Sequence, residues 1–397
     1  MREIHTAMTR IYLDNAATTA IEPKVWAQVQ PYFTEHFGNA ASIHSFGQVT
    51  KNILEEARER VARVLGASPA EIFFTSSGTE ANNFALKGFA FAMMRAKKPF
   101  RFISSRLEHK AVLESLAWLE SVFGTPVLFV EHDACGTLDL DSLKKLLCSG
   151  DKETVTLVSI MHANNELGNI NPLKEITQIA KQYGAFVHSD AVQTAAKLPI
   201  HVEELGVDML SISGHKFHAP KGIGAIYVRK DVPIEPLLHG GSHERNRRAG
   251  TENYAFAFAL AEALQHATSS AAQTTEHVRM LRKRFLAQLE REGIAFEING
   301  QSDAALPHIV NLTFNIKAAS KVAADVLLLA FDACGIAVSS GSACTSGTEK
   351  PSHVLLALGK TEQEARASIR VSFSKFNTVQ EVEEAAQRMV SVLKRWC

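Results

Sequence analysis

Asp208-Met209-Leu210-Ser211-Ile212-Ser213-Gly214-His215-Lys216 runs from an apolar segment into a small polar turn, and a second apolar segment, Ile223-Gly224-Ala225-Ile226-Tyr227-Val228, follows soon after. Both apolar runs read as strands and the segment between them as a loop. A lysine at the end of a buried strand is desolvated. Desolvation disfavours the ammonium form, so the amine becomes a usable nucleophile of the kind a Schiff base needs. A lone lysine in a turn is ordinarily a surface residue, because lysine is rarely buried unpaired. The rest of the chain has to decide between these readings.

Upstream, the pattern repeats. Glu71 to Phe74 reads as a strand that runs into Thr75-Ser76-Ser77-Gly78-Thr79-Glu80 and then a helix to about Lys97. Strand, small polar turn and helix start suit a phosphate, although neither the dinucleotide fingerprint nor the P-loop spacing is present; an ordinary capped helix reads the same way. Phe102 to Ser105 leads to His109, with a helix over 111–121. Residues 126–130 form another strand, and 139–147 another helix. Thr154 to Met161 leads to Asn164-Asn165-Glu166. Asn171-Pro172 caps a helix with proline at its first position. Ala185 to Asp190 leads to Gln193. Apolar strands alternating with helices predict an α/β fold around a mostly parallel sheet covered on both faces. Ligands of such sheets bind beyond the carboxyl ends of the strands. His109, Asn165, Asp190, Gln193, His215 and Lys216 all fall at such ends.

Residues 239–253 form a polar loop whose arginines and Thr251 suit an anion, or are simply solvated. An Ala-rich helical stretch from Tyr254 to about Glu290 leads to a second, smaller α+β domain: a strand over 308–314, a helix over 321–334, a strand over 368–373 and a helix over 379–396. Thr378 and Glu381 form a capping box for the last helix. The expected division is 17–258 as the large domain, with 1–16 and 259–397 as the small one. Arg370 interrupts the apolar strand near the end and calls for a carboxylate, either a structural Asp or Glu or an amino-acid substrate.

Seven of the nine residues in Ser339-Ser340-Gly341-Ser342-Ala343-Cys344-Thr345-Ser346-Gly347 are Ser, Gly or Thr, and nothing in this run packs a core. Cys344 is therefore expected to be exposed and reactive, whereas Cys334, in an apolar helix, is expected to be inert. Five scattered cysteines make no disulfide framework and point to a reducing, cytoplasmic setting. Acidic and basic residues balance at 42 each in 397 residues, so no overall field draws nucleic acid or an anionic membrane. No apolar run is long enough to span a bilayer, and the first ten residues lack a signal-peptide core.

Lys216, Asp190 and Gln193 together suit pyridoxal phosphate. The amine would hold its aldehyde, the carboxylate would keep its ring nitrogen protonated, and the amide, with Asn165 nearby, would meet its ring hydroxyl. His109 would stack on the ring, while Gly78, Thr79 and Ser213 would take the phosphate.

The chain resembles the NifS/IscS-type cysteine desulfurases, members of the class-V aminotransferase group of fold-type-I pyridoxal-phosphate enzymes. The resemblance rests on Tyr-Leu-Asp-Asn-Ala-Ala-Thr-Thr at 12–19, Glu-His-Lys-Ala-Val at 108–112, Asn-Asn-Glu at 164–166 and His-Ser-Asp-Ala-Val-Gln at 188–193. It continues through Ser-Gly-His-Lys at 213–216, Arg-Arg-Ala-Gly-Thr-Glu-Asn at 247–253, the cysteine run at 339–347 and Ser-Ile-Arg at 368–370. The long cysteine run points to the group I branch. The resemblance implies a sulfurtransferase in which Lys216 is the Schiff-base lysine, Cys344 the persulfide-forming nucleophile, and His109 an aid to proton transfer. Gly78, Thr79, Asn165, Asp190, Gln193, Ser213 and His215 would line the cofactor. Thr251 would reach the phosphate of the neighbouring subunit, which implies a homodimer. Asn165 and Arg370 would bind L-cysteine. No resident metal is implied, beyond a transient contact of Cys344 with a nascent cluster. The sulfur acceptor stays open between an iron–sulfur scaffold, a tRNA thiolation carrier and a nitrogenase-specific protein. Housekeeping members often carry a longer C-terminal tail that docks the scaffold, whereas this sequence stops at Cys397. An aminotransferase or selenocysteine lyase on the same fold, and a catalytically silent sulfur-relay adaptor, are the competing readings.

Overall fold

The computed structural model describes residues 9–151, 153–301, 304–315, 324–340 and 351–395. Cys344 and the rest of its run from Gly341 onward lie outside the described residues, as does Cys397.

The strands, in chain order, are β1 (Ile11–Tyr12), β2 (Ile72–Thr75), β3 (Phe100–Ser105), β4 (Val127–Val130), β5 (Val155–Ser159), β6 (Phe186–Asp190), β7 (Met209–Ser213), β8 (Gly224–Val228), β9 (Phe296–Ile298), β10 (Ile309–Phe314), β11 (Ile336–Ala337) and β12 (Ser368–Ser372). Seven of them form one sheet in the order β2-β8-β7-β6-β5-β3-β4. Only β8 runs against its neighbours, β2 and β7; the other pairs are parallel. The expected mostly parallel sheet is therefore present, and β7–β8 is an antiparallel pair with Ser213 opposite Gly224.

Helices cover both faces, which explains why the strands read as continuous apolar runs. On one face, helix Ser45–Leu65 packs with helix Tyr254–Ser269, and Leu54, Val61, Leu65, Phe258, Leu260 and Leu264 share one core with Ile212 and Val187. His44 caps the first of these helices through Gly47 N, and Gly66, at φ 66°, ends it where a side-chain-bearing residue would be strained. On the other face, Phe84, Phe89, Val112 and Leu116 pack against Phe102, Leu157 and Met209. A second core joins β1, β10 and β12 to helices Ala271–Arg291 and Val379–Leu393. The latter helix starts on the expected Thr378–Glu381 capping box.

Three local expectations need correction. The helix after Gly78 is not uniform: Phe84–Gly88 widens into a π turn between Gly78–Asn83 and Phe89–Arg95. There Gly88 lies so close to Glu235 that a Cβ would sit 2.7 Å from its carbonyl oxygen. The helix after Asn171 begins at Leu173, and Pro172 occupies the cap position without a side-chain cap. Asn171 spends its amide on Met161 O at 2.8 Å instead. Finally, the long Ala-rich stretch is two helices separated at Ser270, whose hydroxyl turns back to His266 O.

Candidate active site

At the carboxyl ends of β5, β6 and β7 lies a cavity of about 250 Å³. Gly78, Thr79, His109, Asn165, Asp190, Gln193, Ser213, His215, Lys216 and Arg370 all line it, although they come from six separate stretches of sequence. Parallel strands converge on one edge, so residues dispersed along the chain meet there.

Lys216 ends the short 3-10 turn Gly214–Lys216 that leaves β7. Its Nζ donates to Ala16 O at 2.7 Å and Ala17 O at 2.8 Å. Neither acceptor carries a charge. Burial, with Arg370 adding to it, lowers this amine from 10.5 to about 8. The exposed-turn reading is thereby excluded. His215 beside it is brought to about 4, first by burial and then by the charge of Lys216, and its Nδ1 meets Thr18 Oγ1 at 3.1 Å.

Asp190 ends β6. Its Oδ2 accepts from Asn82 Nδ2 at 2.6 Å, and its Oδ1 accepts from Val192 N at 2.9 Å, which fixes the plane of the carboxylate. Gln193 Nε2 donates to Ala16 O at 2.9 Å. Gln193 Oε1 and Ser213 Oγ are buried without a partner. Buried polar atoms are ordinarily bonded, so these two leave acceptor and donor capacity unspent at the cavity wall. His109 caps helix Lys110–Phe123, with Nδ1 accepting from Ala111 N at 3.1 Å. This assigns its proton to Nε2. Burial lowers its affinity for a further proton, against the pull of Asp190.

Arg370 sits on β12 and reaches the cavity from the second core. Its Nη2 pairs with Asp14 Oδ1 at 2.8 Å and its Nη1 donates to Asn165 O at 2.9 Å, while its Nε is buried and unpartnered. Its carboxylate partner within the chain is thus Asp14, in the stretch just before the Ala16 and Ala17 carbonyls that receive Lys216.

Thr251 does not reach this cavity. It lines a separate surface cleft with Ser76, Arg248 and Glu252. The loop's arginines are not free for an anion, because acids and carbonyls already take them. Arg248 pairs with Glu80, Arg245 with Glu55, and Arg247 bonds Ile234 O.

Asn82 and His353, for which the sequence offers no functional motif, also line the cavity, as does Glu166 from the Asn-Asn-Glu run at 164–166. Glu166 is buried, which raises its pKa, and accepts a hydrogen bond from the Ser352 hydroxyl. His353 Nε2 donates to Glu108 O, 2.9 Å away. The available signal was position: Asn82 lies four residues after Gly78 and so returns to the same helix face.

The donor set fits pyridoxal phosphate. A desolvated amine, a fixed carboxylate, an amide oxygen, a hydroxyl and an imidazole face one cavity beside a helix start, and two of these groups have unspent hydrogen-bonding capacity. Sheet order and site together define a fold-type-I pyridoxal-phosphate enzyme.

Comparison with known proteins agrees. The aminotransferase class-V family matches residues 11–384. Cysteine desulfurase IscS of Dictyoglomus turgidum is 42% identical over 97% of this chain and 95% of its own length. Among solved structures, a NifS-like protein superimposes with a TM-score of 0.88 at 38% identity, covering 98% of this chain and 100% of the other. SspA in complex with cysteine does so with a TM-score of 0.79 at 34% identity, over 93% and 100%. The chain belongs to the class-V aminotransferase family and, within it, to the cysteine desulfurases.

Proposed function

We propose that this protein removes sulfur from L-cysteine, releases L-alanine and leaves the sulfur as a persulfide on Cys344 for an iron–sulfur scaffold or another acceptor protein. The observation that carries the reading is Lys216: a desolvated amine held by two neutral carbonyls, in one cavity with Asp190 and Gln193. The SspA relative solved with cysteine supports the choice of substrate.

Lys216 would hold the cofactor covalently, Asp190 would face its ring nitrogen, Gln193 and Asn165 its ring oxygen, and His109 its ring plane. Gly78, Thr79, Ser213 and His215 would surround its phosphate end, with Thr251 approaching from the second subunit. When bound, pyridoxal phosphate supplies an aldehyde and an electron sink for charge developing on the substrate carbons.

The protein's own groups do the rest. Arg370 orients the substrate carboxylate, with Asn165 beside it. Lys216, at about 8, exchanges a proton readily near neutrality and moves the Cα proton. His109, neutral and carrying its proton on Nε2, relays a proton at the substrate thiol. The Cys344 thiolate attacks the substrate sulfur. An S–S bond forms, the Cβ–S bond breaks, and its electron pair stays on carbon, which then takes a proton. The sulfur transferred is oxidised and the carbon reduced, so no outside oxidant is needed.

In this reading the large lobe, 17–258, holds the cofactor, and the small one, 1–16 with 259–397, brings Cys344 to it. Helix Tyr254–Ser269, packed on the large lobe's core, joins them. The active form is a cytoplasmic homodimer. Among the described residues no helix is long and apolar enough to cross a membrane. Ile43 is 91% exposed and Phe37 69%, beside Phe46 and Val49, an apolar surface suited to a second copy.

Cys344→Ala tests the nucleophile. The variant should keep the yellow cofactor and bind L-cysteine, yet form no persulfide and lose at least about a hundredfold in kcat. Wild-type alanine production by this variant, with a thiol reductant present, would show that another group takes the sulfur.

A further inference from the structure

A second lysine stands behind Lys216. Lys197 lies in the segment after β6, and its Nζ points inward. It donates to Gln193 O at 3.1 Å and to Lys216 O at 3.1 Å. Among the described residues no carboxylate lies within ion-pair distance of it, although a lysine turned into a protein ordinarily pairs with one.

Its charged and titratable surroundings are basic. Lys216, His215 and His218 face it from the turn after β7, His308 from the lead into β10, and Lys375 from beyond β12. The nearby acid Glu22 is already paired with Lys375. Burial, reinforced by the charge of Lys216, lowers Lys197 from 10.5 to about 7. Such an expensive placement provides two hydrogen bonds, and both go to main-chain carbonyls of cavity residues. Gln193 carries an unspent amide oxygen at the cavity wall, and Lys216 carries the amine.

We propose that Lys197 is a positioning residue: by bridging the carbonyls of Gln193 and Lys216 it fixes the turn from which the Lys216 amine enters the cofactor cavity. This rests on Lys216 being the cofactor-bearing residue. The carbonyl of residue 216 sets the direction of its own Cα–Cβ bond. Losing the bridge lets the amine swing away from Ala16 O and Ala17 O, and a displacement of about 1 Å at a reacting group costs up to about a hundredfold in rate.

The test compares wild-type holoenzyme with Lys197→Met, Lys197→Gln and Lys197→Arg. In Lys197→Met, kcat should fall by about tenfold while KM for L-cysteine changes by less than about twofold, since binding groups are untouched. The visible absorption of the Lys216-bound cofactor should weaken or shift. Lys197→Arg, which keeps the donors, should recover much of both. Wild-type absorption and kcat in a folded Lys197→Met would overturn the proposal. If Lys197→Met does not fold, Lys197→Gln decides: with fewer donors it should fall between wild type and full loss, and wild-type behaviour would overturn the proposal equally. Lys216→Ala serves as the separate control. A covalent cofactor absorption surviving in that variant would remove the reading of Lys216 itself, whereas a colourless Lys216→Ala beside an unaffected Lys197→Met would remove only the role given to Lys197.

Discussion

Arg370 shows what one side chain can do when two of its three nitrogens are committed. Asp14 and the Asn165 carbonyl hold the outer nitrogens and leave Nε unpartnered at the cavity. A lysine in its place would keep the charge but lose the planar fork. Arg370→Lys should therefore raise KM for L-cysteine by about tenfold or more, with a smaller effect on kcat, because the lost contact is one of substrate orientation. Steady-state kinetics decide this, and an unchanged KM would exclude Arg370 from the substrate. Sequence alone called for a carboxylate opposite Arg370 but could not find Asp14, which is more than 350 residues away in the chain. Lys216 was legible because a polar turn at the end of an apolar strand has few places to go. Asn82 was not, since an asparagine in a helix looks the same whether it meets water or Asp190.

At the scale of elements, the β7–β8 pair carries the site, and Gly224 is its tight point. A Cβ there would lie 2.7 Å from the Ser77 carbonyl carbon and 2.8 Å from Ile212 O, both backbone atoms that cannot swing aside. Gly224→Ala should cost about 1–3 kcal/mol, read from the denaturant midpoint at unchanged slope. It should also weaken cofactor retention, because the loop from Ser77 to Thr79 must move. An unaltered midpoint would mean that the hairpin yields more easily than its contacts indicate. The strand–helix alternation was legible because each strand is buried on both faces and so is apolar throughout. The π turn at Phe84–Gly88 was not, because it answers to the neighbouring Glu235 segment rather than to any local residue pattern. The break at Ser270 escaped for a similar reason: alanine-rich sequence favours helix on either side, and the two halves separate because they pack into different cores.

The whole molecule stores several imidazoles in neutral form. His188 lies between Ser159 Oγ and Ser211 Oγ, at 2.9 and 3.0 Å, and burial brings it to about 3. His162, His215 and His218 are brought to about 4, in each case chiefly by burial. The unfolded chain charges such rings at the ordinary histidine value of about 6.5. Below that value the unfolded state binds more protons than the folded one, so folding stability falls as pH drops toward the folded values, and is complete above about 6.5. The thermal midpoint should therefore decline steadily from about pH 7 to about pH 4.5, and a level profile would contradict the burial of these rings. The same edge of the molecule that hides these histidines brings an amine, a carboxylate and an amide from separate strands to one cavity.

Borohydride reduction of the purified holoenzyme, followed by peptide mass mapping, tests that convergence most directly. A pyridoxyl group fixed to the peptide that carries Lys216, and absent from the peptide that carries Lys197, is the expected result. Attachment at any other lysine, or no attachment in a protein that retains its yellow colour, would contradict it.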